Sequence, residues 1–166
     1  PQAIARRVAR NNKRFQKLSP EKQRVAIARD ALSQLKAKRL KAVVSEYMAP
    51  DYVGGTTTAL SVPCGVCALG GLFCGLADNT EDRNVTYNGR VIRNSLNPYF
   101  SERQLTEIES AYEMRNMYYW EADSNAGDRA MRHFPTGTRP AARLQAILGN
   151  IIRNKGTFVP RKVKEA

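Results

Sequence analysis

The chain has 166 residues, of which 42% are hydrophobic and 25% charged, and its formal net charge is +12 at pH 7. This size and balance are typical of one globular domain and argue against wholesale disorder. The most apolar stretch, residues 59–77, is short and interrupted by glycines, so it does not match the roughly 20 apolar residues of a membrane span. The polar, basic start of the sequence does not have the pattern of a signal peptide. We therefore expect a cytoplasmic protein without a membrane partner.

The positive charge is concentrated at the two ends of the chain. Residues 1–42 hold 13 Lys and Arg against two acidic residues, and residues 138–166 hold seven against one. Residues 43–137 hold seven Lys and Arg against 12 acidic residues, so the middle is mildly acidic. Such a distribution favours contact with a phosphate backbone, because each Lys or Arg that meets a phosphate releases condensed counterions. An acidic protein surface is an alternative partner, and a solvated basic surface is the third interpretation.

The N-terminal third is predicted to be helical. Residues 2–16 form a helix with a thin apolar stripe, or a basic arm that orders on a partner. Ser19-Pro20 predicts the start of a second helix that runs to about Arg39, with serine as the N-cap. Lys22, Arg29 and Lys36 recur every seven residues, which gives this helix a basic face. The face is the best candidate to meet nucleic acid, although an ordinary solvated helix face has the same pattern.

The central part of the sequence has weaker signals. A short extended piece is predicted at residues 42–48 and a loop after Pro50. Ser61-Val62-Pro63 predicts the start of a buried helix that contains Cys64 to Cys74, although its glycines weaken the pattern. The polar stretch that follows is predicted to be a loop ending in an Asn88-Gly89 turn.

Two helices are predicted in the C-terminal half. Ser101 and Gln104 have the spacing of a capping box, and the helix that they start continues to about Met114. Glutamates 107, 109 and 113 on this helix are expected to be solvated. The last helix starts at Thr138-Arg-Pro140, keeps Arg143 outside and ends at Lys155-Gly156.

These elements predict a mainly α protein with a single small domain of four to five helices. The predicted divisions are a basic N-terminal arm or helix at residues 1–18, a helical domain at residues 19–158 and a basic tail at residues 159–166.

The pair Cys64-x-x-Cys67 is the sharpest candidate for chemistry, because two thiolates at this spacing can bind zinc. Cys74 and the single histidine, His133, would complete four ligands, but the spacing fits no common zinc module and the intervening residues are apolar. We therefore expect buried, reduced thiols and no metal or other cofactor. The alternative is a thiol enzyme in which Cys64, near a helix N-terminus, is the nucleophile and His133 the base.

The aromatic run Tyr118-Tyr119-Trp120 is typical of a core or a protein-partner interface, and stacking on nucleobases is the alternative. No phosphate-binding loop, dinucleotide-binding glycine motif, zinc-protease motif or serine-hydrolase motif occurs in the sequence. The sequence therefore favours a binding protein over an enzyme.

Three blocks of the sequence resemble a group of uncharacterised small bacterial and phage-encoded proteins. The blocks are Cys67-Ala-Leu-Gly-Gly-Leu-Phe73, then Gln104-Leu-x-x-Ile-Glu109-x-Ala-Tyr112-Glu113, and last Ile147-Leu-Gly-Asn150-Ile-Ile-x-Asn154-Lys-Gly-Thr-Phe158-Val-Pro160. They cover under a third of the chain. The resemblance implies a phage or mobile-element origin, and hence a bacterial cell or phage-infected host, but it implies no activity and no catalytic residue.

The leading hypothesis is a non-enzymatic protein that binds nucleic acid, DNA or RNA, or a nucleoprotein complex through its basic ends. The residues predicted to contact phosphates are Arg6, Arg7, Arg10, Lys13, Arg14, Lys17, Lys22, Arg29, Lys36, Arg39, Arg161 and Lys162. The second hypothesis is a phage-type inhibitor that docks on a host protein or ribonucleoprotein complex through the aromatic run and the acidic middle.

Overall fold

The computed structural model describes residue 10 and residues 12–45, 47–50, 64–80, 88–114, 124–134 and 139–161. In these ranges the chain is mainly helical with one small sheet, which confirms the predicted mainly α class. Six helices have described bounds and residues 12–16 are helical as well, so the described part alone exceeds the predicted four to five helices. Among these helices, none has the combined length and apolar character needed to cross a bilayer.

The elements follow one another as a long helix, three short strands and five further helices. They are α1 (Pro20–Lys36), β1 (Leu40–Ala42), β2 (Met48–Pro50), β3 (Cys64–Val66), α2 (Ala68–Thr80), α3 (Gly89–Leu96), α4 (Glu102–Glu113), α5 (Ser124–His133) and α6 (Pro140–Arg153).

Helix α1 organises the core. It begins as predicted, because the Ser19 hydroxyl accepts a hydrogen bond from the Lys22 N–H. Its buried residues face α2 and α6. Gly75 of α2 lies so close to α1 that a Cβ there would be 2.3 Å from the carbonyl oxygen of Ile27. The two helices therefore touch backbone to backbone, a contact that only glycine permits at this point.

The strands form a sheet in the order β1-β3-β2. Strand β3 pairs parallel to β1, with Leu40 opposite Cys64, and antiparallel to β2. The prediction of a helix that includes Cys64 was wrong for residues 64–66, and the helix begins at Ala68 instead. These three residues are extended because strands on both sides satisfy their backbone, which local sequence does not reveal.

Sequence analysis missed two helices. Asn88, predicted to be in a turn, caps α3: its side-chain oxygen accepts hydrogen bonds from the N–H groups of Arg90 and Val91 at 3.0 and 3.3 Å. Asparagine favours both turns and N-caps, so the same residue fits either structure. Helix α5 lies in a polar stretch and buries the small residues Ala126 and Ala130, which form too weak a stripe to predict.

Helix α4 holds the connection between β1 and β2. Three side chains on this helix bond to that connection: Glu109 to the Tyr47 hydroxyl, Tyr112 to the Val43 carbonyl and Glu113 to the Ser45 N–H. The acceptors and donors are spaced three and four residues apart on α4, so they lie on one face of the helix.

The prediction that Glu107 and Glu109 are solvated was wrong, since both are buried. Glu109 accepts hydrogen bonds from the Tyr47 hydroxyl at 2.5 Å and from Arg93 at 3.0 Å. Glu107 accepts from Arg103 at 3.2 Å and from Gln104 at 2.8 Å. Each buried carboxylate has at least two donors, which offsets the cost of removing its charge from water.

The prediction that Arg143 stays outside the core was also wrong. This residue is 7% exposed, and the central carbon of its guanidinium lies 5.5 Å from the centre of the Tyr112 ring. A weakly hydrated guanidinium stacks on an aromatic face at little cost, so an arginine at a helical position next to Leu144 is able to join the core.

Candidate nucleic-acid interface

The outer face of α1 carries three exposed cations. Lys22, Arg29 and Lys36 are separated by two turns each and all three are exposed. Ile27 and Ala31, on the opposite face, have no exposed surface. The amphipathic pattern of α1 thus separates a core face from a basic face, as the sequence predicts.

The basic face continues past the end of α1. Lys38, Arg39 and Lys41 are exposed, and Lys38 adopts a left-handed conformation with φ 59° that turns the chain towards β1. The sequence prediction did not include Lys38 and Lys41 among the phosphate contacts, because it selected cations at helical spacing. Both residues could have been selected from the high density of Lys and Arg at residues 36–41. The cations near the helix end also oppose the negative end of the helix dipole, so they contribute to stability even without a ligand.

Residues 10–17 add four exposed cations, namely Arg10, Lys13, Arg14 and Lys17. This segment is anchored by Phe15, which is 1% exposed and whose ring centre lies 5.7 Å from that of Tyr99. The Asn12 amide donates to the Thr80 carbonyl at 3.1 Å, and the Gln23 amide donates to the Phe15 carbonyl at 3.3 Å. The core therefore includes part of the predicted arm and anchors the backbone that carries Lys13, Arg14 and Lys17.

The cations of residues 10–41 form no ion pair with an acidic side chain that the structure describes. Between residues that the structure describes, ion pairs join Arg93 to Glu102 and Glu109, Arg103 to Glu107, and Arg132 to Asp128. None of these pairs involves a cation of residues 10–41. Ion pairs within the described residues therefore do not neutralise the charge of this surface.

One acidic pair lies beside the basic face. The Gln34 amide donates to Asp30 at 2.5 Å and to Asp78 at 3.1 Å, which links α1 to α2. Burial, with the charge of Asp78 as a smaller cause, raises the pKa of Asp30 from 3.8 to about 6. Protonation of Asp30 would therefore remove a negative charge from the neighbourhood of Arg39 as the pH falls below 6.

Not every cation at the ends belongs to this surface. Arg24 of α1 is half-buried, and its guanidinium donates to the carbonyls of Gly156 at 2.8 Å and Tyr99 at 3.4 Å. Arg24 thus ties α1 to the C-terminal turn. Arg161, predicted to contact phosphate, is exposed and lies within 3.5 Å of the Asn154 side-chain oxygen.

Several predicted site residues lie outside the described residues. These are Arg6, Arg7 and Lys162 of the basic ends and the aromatic run Tyr118, Tyr119 and Trp120. Their roles stay predictions.

The three cysteines are buried and are thiols, not halves of disulfides. Burial raises the pKa of the Cys67 and Cys74 thiols to about 12, so both are protonated at neutral pH. Cys64 lies in β3 rather than at a helix N-terminus.

His133 is the last residue of α5, and its side chain lies outside the described part. In the described part of the chain, no three His, Cys, Asp or Glu residues form a group that could hold a metal ion.

Comparison with protein-family models, with curated proteins and with solved structures finds no match to this chain.

Proposed function

We propose that this protein is a non-enzymatic nucleic-acid-binding protein that contacts the phosphate backbone through residues 10–41. The observation that carries the proposal is the set of ten exposed cations in this range, none of which pairs with an acidic side chain of the described residues. Phosphates are the ligand that a continuous run of solvated Lys and Arg recognises best without reading sequence.

The anchoring of the cations supports this function over simple solubility. Phe15 and the Asn12 amide fix residues 12–17 to the domain, and the cations on α1 are fixed by the helix. Ordered cations lose less conformational entropy when they meet a ligand than cations on a loose arm. The cations of residues 12–36 are therefore held in place before a partner arrives.

The test is fluorescence anisotropy with labelled single-stranded and duplex DNA and RNA at about 50 and 200 mM salt. With about six phosphate contacts, affinity falls on the order of a thousandfold across this range. Replacing Lys22, Arg29 and Lys36 with Gln removes three charges from exposed positions without touching the core. The remaining contacts then give a fall of only about fortyfold.

A matched control removes three exposed cations elsewhere, with Arg90, Arg132 and Arg139 replaced by Gln. The control has the same net charge as the α1 variant and should keep most of the salt dependence. Equal losses in the two variants would show that net charge alone matters, and absence of binding at low salt would rule out the function.

A second candidate function is docking on a protein of a host or on a ribonucleoprotein complex. The observation that favours it is the exposure of two large apolar side chains, Val44 and Met114, which are 44% and 50% exposed. Each is the sequence neighbour of one partner in the hydrogen bond that the Ser45 N–H donates to Glu113. Serine substitutions at both positions would abolish capture of a stoichiometric protein partner if this function holds, whereas the α1 variant would leave capture intact.

A further inference from the structure

Two carboxylates from different helices share one side-chain amide beside the basic surface. The Gln34 nitrogen donates to Asp30 of α1 at 2.5 Å and to Asp78 of α2 at 3.1 Å. Gln34 is only 4% exposed, so a buried side chain uses both of its N–H groups on this pair. Because both acceptor oxygens bond to one nitrogen, the two carboxylates are held close together, where their like charges favour uptake of one proton.

The pair holds this proton more tightly than a solvated aspartate does. Asp30 is partly buried, and burial is the main reason that its pKa rises from 3.8 to about 6. The Gln34 hydrogen bond opposes the rise, and the charge of Asp78 adds to it. The pair therefore changes its charge just below neutral pH and not near pH 4, where a solvated aspartate titrates.

Arg39 connects the pair to the basic surface of residues 10–41. Its positive charge acts on Asp30, and its backbone N–H donates to the Gln34 carbonyl at 3.0 Å. Arg39 is exposed and forms no ion pair with either carboxylate. The pair therefore reduces the attraction of Arg39 for an anion through its field, without occupying the guanidinium.

Charged side chains of α6 and β1, which also pack near α1, have other surroundings. On α6, Arg143 stacks on Tyr112, and the guanidinium of Arg153 lies beside Gly149 of the same helix. On β1, Lys41 is exposed. None of these three cations forms an ion pair with a carboxylate that the structure describes.

Helix α2 and residues 12–17 complete the surroundings of the pair. Burial raises the pKa of the Cys74 thiol of α2 to about 12, so this group stays neutral across the range in which Asp30 titrates. The cations of residues 12–17 are exposed and form no ion pair with Asp30 or Asp78. Arg39 is thus the described cation whose charge acts on Asp30.

We infer that the Asp30–Asp78 pair makes the binding of nucleic acid to residues 10–41 dependent on pH, with tighter binding in mild acid. The inference rests on the proposed function. Proton uptake removes one of two negative charges near Arg39, so a phosphate that meets Arg39 is repelled less. For charges about 8 Å apart in water, one unit charge changes affinity on the order of threefold at low salt.

The test is fluorescence anisotropy of the full chain with labelled duplex DNA at about 50 mM salt, at about pH 5 and about pH 7.5. The wild type should bind about threefold tighter at the lower pH. Asp30→Asn should bind at the higher pH as tightly as the wild type does at the lower one. It should also lose most of the pH dependence, because the charge of residue 30 no longer changes.

Two controls separate the pair from general effects of charge. Asp128→Asn makes the same change in net charge on α5, and it should keep both the wild-type affinity at pH 7.5 and the wild-type pH dependence. The single histidine, His133, gains charge in the same range, so each protein is also measured with His133→Gln. The difference between the wild type and Asp30→Asn should persist in that background.

The outcomes distinguish the inference from the proposed function. Steep salt dependence with equal affinity at both pH values would overturn the inference and leave nucleic-acid binding standing. Equal pH dependence in the wild type and Asp30→Asn would overturn it as well. No binding at either pH would overturn the proposed function and the inference together. Carbon NMR of the Asp30 carboxyl in the free protein tests the pair without a ligand, and a titration midpoint of about 4 would overturn the inference by itself.

Discussion

The side-chain amide of Gln104 pairs with the backbone of Phe158 as a neighbouring strand would. The Phe158 N–H donates to the amide oxygen at 2.7 Å, and the amide nitrogen donates to the Phe158 carbonyl at 2.9 Å. Asn150 repeats the arrangement one residue later, accepting from the Val159 N–H at 2.8 Å and donating to its carbonyl at 2.9 Å. The backbone N–H and carbonyl groups of Phe158 and Val159 pair with no described strand. The two side-chain amides provide their hydrogen bonds instead and hold Phe158 in the core.

Replacing Gln104 with Ala should therefore cost about 2–3 kcal/mol of unfolding free energy. The substitution removes both hydrogen bonds and leaves the Phe158 N–H and carbonyl without partners beside a side chain that is 1% exposed. Urea unfolding followed by circular dichroism measures the loss. Gln16→Ala is the control, because the exposed Gln16 side chain donates one hydrogen bond, to the Asn12 side chain, among the residues that the structure describes. Similar costs for both variants would contradict the role of the amide.

Replacing each of two glycines of α2 with alanine should change the free energy of unfolding in opposite directions. At Gly75 a Cβ would lie 2.3 Å from the Ile27 carbonyl oxygen, which is backbone and has no room to move. Gly75→Ala should therefore destabilise the protein by at least about 2 kcal/mol by forcing α1 and α2 apart. At Gly71 the nearest atoms would be side-chain carbons at 3.7 and 3.8 Å, an ordinary contact. Gly71→Ala should stabilise by up to about 1 kcal/mol through helix propensity, and thermal unfolding of the pair distinguishes the two.

The sequence predicted features whose cause is local. Ser19 and Ser101 cap helices because a serine hydroxyl reaches the third N–H beyond it in any protein, and Gly156 adopts φ 88° because a helix end needs it. The predicted cations of α1 are exposed for the same reason, since helical spacing fixes the face.

Features that depend on distant residues escaped prediction. Glu109 is buried because Tyr47, 62 residues away, and Arg93 supply donors. Strand β3 exists because strands from two other segments flank it. Gln104 pairs with Phe158, which lies 54 positions further along the chain, so no spacing in the sequence indicated this pairing. Such partners become neighbours only through the tertiary fold.

Asp30 should make the protein more stable in mild acid. Its folded pKa of about 6 exceeds the unfolded value of 3.8, so the folded state binds the proton more tightly. Binding of this proton makes its whole contribution to the free energy of unfolding below pH 3.8, and the contribution is lost as the pH rises through 6. Asp30→Asn should remove this dependence and add about 1 kcal/mol at pH 7, a figure reduced to allow for partial solvent screening.

The measurement is urea unfolding of the wild type and the Asp30→Asn variant between about pH 4 and 7. Asp128→Asn serves as the control, because Asp128 is only partly buried and pairs with Arg132 at 4.0 Å on one helix. A wild type whose stability rises across this window relative to the Asp30→Asn variant would contradict the raised pKa.

The thiols of Cys67 and Cys74 should be inert in the folded protein. Cys67 and Cys74 are 3% and 6% exposed, and their pKa values of about 12 leave almost no thiolate at pH 8. Iodoacetamide should label neither residue on the timescale of an exposed thiol, and both should react fully in urea. Mass spectrometry after labelling measures each site. Rapid labelling of either cysteine in the native protein would contradict the raised pKa values.

Phe15 should determine how well residues 12–17 bind nucleic acid. Phe15→Ala removes a ring that is 1% exposed and packs against Tyr99, at a cost of about 3 kcal/mol in unfolding free energy. Lys13, Arg14 and Lys17 keep their charges but lose their anchor, so ordering them on a phosphate backbone costs more and affinity should fall about tenfold.

The salt dependence of affinity distinguishes loss of the Phe15 anchor from loss of cationic charge. Phe15→Ala leaves the number of cations unchanged, so the slope of affinity against salt should stay close to that of the wild type. The Lys22, Arg29 and Lys36 variant should instead flatten the slope. Phe15→Leu keeps an apolar anchor and should restore most of the affinity, which excludes a general effect of substitution at this site. Wild-type affinity in a folded Phe15→Ala variant would show that the cations act by charge alone and that their anchoring contributes nothing to binding.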